Sequence, residues 1–232
     1  MYDAVRIHAN GRTTTARFVS TAAEAGFDGV VVANSHENGA DVDVPHIRSE
    51  YGIDIVGGVE VATTDKGVAS TAIADRRPKT AVLMVRGGTP TMNRYAVETP
   101  AVDVLRDPMA GDGDVNHVLV KAAVRNDVRI EVNLGRVLRA SGGPRVQALR
   151  GLRKLRDLLE YYDAPLVVTA DPKTHLQVRG PRELLAVGDR IGFDEETIRR
   201  GLTEWQRIAE TNREKLSPEY VAKGVRRGRD EK

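Results

Sequence analysis

Seven short apolar runs separated by helix-like segments most limit what this sequence can become. They occupy residues 4–7, 29–33, 53–56, 81–85, 102–105, 128–132 and 166–169, with 68–74 as a weaker eighth candidate. Each is largely apolar from end to end rather than alternating, as strands buried on both faces of a parallel sheet are. Between them, residues 13–25 place Phe18, Val19, Ala22 and Ala23 on one side and stop at Gly26. Residues 114–127 begin at a capping Asp114 and repeat Val115, Val118, Leu119, Ala122 and Ala123 at helical spacing. Residues 144–162 open on Pro144 and carry Val146, Leu149, Leu152, Leu155, Leu159 and Tyr162 along one stripe. Helical stretches at 181–191, 194–202 and 204–216 follow. Strands alternating with helices over 232 residues predict an α/β fold, a single (β/α) barrel in preference to a doubly wound sheet. No Gly-x-Gly-x-x-Gly turn follows the first strand, which weakens a dinucleotide-binding reading. One domain is expected over residues 1–222, with a charged, frayed tail at 223–232.

Several classes fall away early. The longest apolar stretches are far shorter than a membrane span, and Asp3 and Arg6 argue against a signal peptide at the start. The chain has no cysteine, so it can form neither a disulfide nor a thiolate site, which suits a reducing, cytoplasmic setting.

The net charge of +2 conceals an uneven distribution. Residues 1–120 carry 11 Lys and Arg against 16 Asp and Glu, whereas residues 121–232 carry 24 against 17. Within the second half, residues 121–156 hold 10 basic side chains and only Asp127 and Glu131 as acids. Clustered positive charge points to a polyanionic partner, with a solvated helix face as the plain alternative. Arg outnumbers Lys by 27 to 8, a bias that suits bidentate phosphate contact and that GC-rich coding or a salty cytosol would also produce.

The search for a nucleophile ends quickly: there is no Gly-x-Ser-x-Gly elbow, no P-loop and no His-Glu-x-x-His helix. His8, His36, Glu60, Asp171 and His175 nevertheless follow predicted strands, and in a parallel barrel those ends converge on the face where active sites are built. The stretch Ala22-Ala23-Glu24-Ala25-Gly26-Phe27-Asp28-Gly29-Val30-Val31-Val32-Ala33-Asn34-Ser35-His36 and the triplet Gly58-Val59-Glu60 resemble motifs of the polymerase-and-histidinol-phosphatase-like metal-dependent phosphoesterases. Two positions depart from that family. Asn10 stands where its opening His-x-His pair has the second histidine, and Ser35-His36 replaces its Asp-His pair. Losing such ligands removes charge compensation and geometry together, so a phosphoesterase is the alternative reading here and not the preferred one.

Three segments in the second half resemble, in order and spacing, the archaeal and eukaryal ribonuclease P thirty-kilodalton subunit family. They are Asn116-His117-Val118-Leu119-Val120-Lys121-Ala122-Ala123, Val128-Arg129-Ile130-Glu131-Val132-Asn133-Leu134, and Val178-Arg179-Gly180-Pro181-Arg182-Glu183-Leu184. The resemblance implies a TIM-like barrel related to the phosphoesterase fold, with extra C-terminal helices, and points to an archaeal member. It also implies a protein subunit of the ribonucleoprotein endonuclease that removes the 5′ leader of precursor tRNA, active only within the holoenzyme. Catalysis would then belong to the RNA with its magnesium, and this chain would bind no cofactor. The implied partners are ribonuclease P RNA, precursor tRNA and other protein subunits, protein component 2 among them.

Against that background, His117, Lys121, Arg136, Arg139, Lys173, Arg179 and Arg182 are the candidate RNA-binding residues. His117, Lys121 and Arg125 share one helical stripe. Arg179 and Arg182 bracket Gly180-Pro181 at a helix start, where side chains and free N–H groups can meet a phosphate. Arg136, Arg139 and Lys173 follow strand ends. Arg150, Arg153 and Arg156 are read as the wet face of a long helix, and Trp205 as core or interface.

Overall fold

The computed structural model describes residues 1–7, 13–36, 44–222 and 225–226. Seven strands, β1 (Tyr2–Val5), β2 (Gly29–Ser35), β3 (Asp54–Val61), β4 (Val82–Arg86), β5 (Val104–Arg106), β6 (Arg129–Asn133) and β7 (Leu166–Thr169), pair in parallel in sequence order. Helices α1 (Thr15–Glu24), α2 (Val44–Tyr51), α3 (Lys66–Arg76), α4 (Pro90–Glu98), α5 (His117–Asn126), α6 (Gly135–Arg139), α7 (Gly142–Tyr161), α8 (Pro181–Ile191) and α9 (Glu195–Leu216) connect or follow them. The sheet curls into a nearly closed barrel. Among the described residues no ladder joins β1 to β7. Side chains bridge the seam instead: Thr169 Oγ1 donates to Asp3 Oδ1 at 2.6 Å, and the Ala170 amide donates to the same oxygen at 3.1 Å.

Burial divides by strand face. One set of side chains, including Val30, Ile55, Leu83, Leu105, Ile130 and Val168, packs outward against the surrounding helices. The other set, including Tyr2, Ala4, Val31, Val56, Met84, Val104 and Val167, fills the barrel interior. Helix α9 plugs the entrance at the strand N-termini. Trp205 Nε1 donates to the Val168 carbonyl at 2.8 Å, Asn212 Nδ2 to the Ala81 carbonyl at 2.9 Å, and Arg213 pairs with Asp54 at 2.5 Å. Trp205 is therefore core. With the base filled, the mouth at the strand C-termini is left as the place for a site.

Three local expectations are corrected. Residues 68–74 lie in helix α3, not in a strand, because Asp65 Oδ1 caps the helix by accepting from the Val68 amide at 2.9 Å and Ala69 and Ile73 are buried along one side. Helix α5 is capped by Asn116, which accepts from the amides of Val118 and Leu119, while Asp114 is drawn away to Lys154 at 2.6 Å. The stretches 194–202 and 204–216 form one helix, capped by Asp194; Thr203, the expected break, bonds its hydroxyl to the Arg199 carbonyl within the helix. Most of the expected tail, residues 223–232, lies outside the described residues, although β9 (Val225–Arg226) pairs antiparallel with β8 (Tyr220–Ala222).

Candidate functional site

The barrel mouth is built around one buried guanidinium. Arg106 closes the short strand β5, and its side chain has no exposed surface. It donates through Nε to Glu131 Oε1 at 2.7 Å, through Nη1 to Glu60 Oε2 at 3.0 Å and through Nη2 to Asp171 Oδ1 at 2.8 Å. These three carboxylates come from β3, β6 and the turn after β7, so one side chain ties together ends spread around the barrel. Burial alone would depress the Arg106 pKa, but Glu131, Asp171 and Glu60 outweigh it and hold it well above the usual arginine value.

Two further arginines complete the cage. Arg6 donates through Nε to Asp171 Oδ1 at 2.8 Å and places Nη2 2.8 Å from Glu60 Oε2. Arg86 Nε faces Glu60 Oε1 at 2.5 Å as an ion pair, and that oxygen accepts no hydrogen bond. The second oxygen of Glu131 accepts from the Asp107 amide at 2.8 Å. Asp107 and Asp171 both hold left-handed backbone, with φ of 47° and 45°, a conformation aspartate tolerates better than most residues and one that clusters at sites fixed by their surroundings.

The cage does not suit a metal. Its carboxylates already accept from guanidinium or amide donors, and Arg106 fills the space between them. His175 is engaged elsewhere, its Nε2 accepting from Arg17 Nε at 3.2 Å and its Nδ1 lying 3.2 Å from Thr13 Oγ1. His36 follows β2, with its backbone amide donating to the Glu60 carbonyl. His8 and Asn10 lie outside the described residues. Among the described residues no cluster of three or more His, Asp or Glu has the geometry of a metal site.

Beside the cage opens a cavity of about 680 Å³ between the loop at 107–111 and helix α7. Met109, Leu152 and Leu155 give it apolar walls, while Arg136, Arg150 and Lys154 add cations. Asn133 Nδ2 donates to Asp107 Oδ1 at 2.9 Å along its floor.

The candidate cations fall into three groups. Arg136, Lys173 and Arg182 are exposed near the mouth and make no ion pair with another described residue. Arg139 and Arg179 are partly committed to loop carbonyls. Arg139 donates to Ala170 and Asp171, and Arg179 donates to Leu176 and Val178. Burial and the nearby Arg179 charge lower the Arg139 pKa. Arg179 and Arg182 do not form a joint fork, since Arg179 turns to its own loop and Glu183 accepts from the Gly180 amide at 2.8 Å. His117 starts α5 at the mouth, but Lys121, a turn further along, has Nζ 5.5 Å from the Tyr162 ring centroid. Helix α5 packs against α4 and α7, and α8 against α7 and α9, so α7 stands between Lys121 and the α8 cations. On α7, Arg150 is exposed, whereas Arg153 and Arg156 both donate to the Ile191 carbonyl and are not simply a wet face.

Sequence reasoning passed over Arg106, Arg6 and Arg86. Their available signal was a charge set at the end of an apolar run, where a strand reaches the barrel mouth.

A family model described as RNase P subunit p30 matches residues 1–217. The ribonuclease P protein component 3 of Halobacterium salinarum is 52% identical over 231 residues, covering 100% of this chain and 99% of that protein. The protein of the same name in Methanosarcina acetivorans is 30% identical over 223 residues, covering 94% and 92%. A chain in the cryo-EM structure of archaeal ribonuclease P with mature tRNA matches with a TM-score of 0.85 at 23% identity, both chains being covered in full. Histidinol phosphate phosphatase from Lactococcus lactis, complexed with zinc, L-histidinol and phosphate, matches at 0.54 and 13% identity, over 83% of this chain and 94% of that one. At those identities the two structures establish a shared barrel fold.

Proposed function

This chain belongs to the ribonuclease P p30 subunit family and is a protein component of that tRNA-processing endoribonuclease; from that premise we propose that it works as an RNA-contacting scaffold and leaves cleavage to the RNA subunit. The observation that carries the scaffold reading is the occupied mouth. Where a barrel enzyme of this kind would need open ligands, Glu60, Glu131 and Asp171 are already bound to Arg106. Magnesium is assigned to the RNA rather than to this chain.

RNA contact falls to the cations that have no internal partner. Arg136, Lys173 and Arg182 stand near one rim, with Arg139 and Arg179 beside them and His117 at the start of α5. Phosphate contact needs charge and reach, and orders the complex without reading bases. Lys121 stands apart from this rim on the α5–α7 flank, its Nζ over the Tyr162 ring, and we leave that flank to a protein partner. Precursor tRNA shares this polyanionic chemistry. Among the described residues no helix is long and apolar enough to cross a membrane, and the setting we assign is the cytoplasm.

For protein component 2, the docking surface we favour is the flank of α5 and α7, which leaves Val118 61% and Tyr161 80% exposed. Exposed apolar side chains on neighbouring helices suit a protein partner better than a nucleic acid.

The decisive experiment incubates the chain with precursor tRNA and magnesium, with and without ribonuclease P RNA and the companion proteins. Cleavage is expected only with the RNA subunit, and stronger when this chain is included. Leader removal by the protein alone would overturn the scaffold reading.

A further inference from the structure

The disagreement between a barrel shared with a zinc-complexed phosphatase and a mouth filled by arginine is informative in itself. A divalent ion at the C-terminal ends of parallel strands brings convergent carboxylates together and neutralises them. Arg106 does the same here. Its three donor positions each meet a different carboxylate, at 2.7, 3.0 and 2.8 Å, from three separate segments. A guanidinium has a fixed planar fork, so it can hold several ligands at set angles where an ammonium would supply only a point charge.

Charge and burial support the comparison. Glu60 and Glu131 are as fully enclosed as Arg106, and Asp171 nearly so. Three enclosed carboxylates without a central cation would repel one another and lose hydration together. Arg6 reaches the same Glu60 and Asp171 oxygens and Arg86 reaches the other oxygen of Glu60, but among the described residues Arg106 is the cation that meets all three carboxylates. Glu60 is fully enclosed and both of its oxygens face cations, Oε2 the Arg106 guanidinium and Oε1 the Arg86 charge.

We propose that the Arg106 guanidinium occupies the seat of a divalent cation, so that Glu60, Glu131 and Asp171 form a latent metal site that opens only when Arg106 is cut back. The native chain then holds its mouth together without any metal. The inference rests on the cage alone and does not require the RNA-binding assignment.

The test uses the full chain and no RNA, so its failure leaves the scaffold reading untouched. Thermal unfolding is followed for wild type, Arg106→Ala and Arg106→Ala/Glu60→Gln, each with and without about 1 mM manganese chloride, a concentration able to stabilise a site of micromolar affinity. Wild type should not respond. Arg106→Ala should melt lower and gain on the order of 5 °C with manganese, and the added Glu60→Gln should abolish most of that gain. Guanidinium chloride at about 5 mM, far below denaturing concentrations, should also raise the Arg106→Ala midpoint by refilling the seat. If Arg106→Ala does not fold unaided, dilution from denaturant into manganese or low guanidinium should restore its circular dichroism. Indifference to both cations, or failure to refold with either, would overturn the proposal. So would stoichiometric manganese binding by the wild type, detected by calorimetry and lost in Glu60→Gln.

Discussion

Arg106 and Glu60 meet across β4: they stand on β5 and β3, and Arg106 Nη1 reaches Glu60 Oε2 at 3.0 Å with neither side chain exposed. Breaking a buried pair from one side strands a charge, at a cost of about 3–5 kcal/mol. Glu60→Gln should lower the unfolding free energy by about 3 kcal/mol in urea denaturation. Because water and ions do not reach the pair, the loss should be similar at low and high salt. A loss that vanishes in high salt would mean the cage is open to solvent.

The seam between β1 and β7 carries a pH signature. Burial pushes Asp3 up to about 7, despite the donors Thr169 and Ala170, and the nearby Asp171 adds to the effect. A carboxyl whose folded pKa exceeds its unfolded value binds protons more readily when folded. Its contribution to stability therefore falls as pH rises from about 4 to about 7. Asp3→Asn should consequently gain on wild type by about 2 kcal/mol between pH 5 and pH 8. Denaturation midpoints at the two pH values measure this, and a gap that shrinks with rising pH would contradict it.

Trp205 is the sole tryptophan, so its fluorescence reports directly on the docking of α9. Emission should be blue-shifted in the folded chain and move to the red in step with the loss of circular dichroism. Trp205→Phe keeps much of the ring but strands the Val168 carbonyl, at a cost of about 1–3 kcal/mol. A red emission maximum in the folded protein would show that the plug is loose.

Removing rim charges should weaken RNA binding for all sequences alike. Arg136→Ala, Lys173→Ala and Arg182→Ala are each expected to make the log–log salt slope shallower by about one. Arg94, already paired with Glu98 on α4, serves as the control and should leave the slope unchanged. An unchanged slope in all three rim variants would move the RNA to another face.

The strands were legible because parallel barrel strands are buried on both sides and leave dense apolar runs. Their ends were less clear. Strand β3 continues through Gly57 and Gly58 to Val61, and Gly58 is there because a Cβ would meet Met84, Val31 and the Val32 carbonyl at 2.9 Å. In sequence, two glycines read as a stop. The cage was hidden for another reason: Arg106 meets partners 25, 46 and 65 positions away, so no local spacing announces it. Glu60 and Asp171 stand out as strand-end acids, for which a metal is weighed only as the alternative counter-charge, and an arginine cannot be told from a surface cation until the barrel closes. Exposed cations such as Arg136 and Arg182 could be recognised in kind. Which of them lack an internal acid could be learned only from the fold.

The α9 plug also sets a schedule for synthesis. Tyr2 donates to Asp54, and Asp54 in turn waits for Arg213, so the first and third strands acquire this tether from a residue made after all seven barrel strands. Translation delivers the N-terminal segments first. Until α9 leaves the ribosome, Tyr2, Ala4, Val31 and Val167 line a bore with no floor. A nascent or prematurely terminated product lacking α9 would thus present an apolar surface to chaperones and proteases.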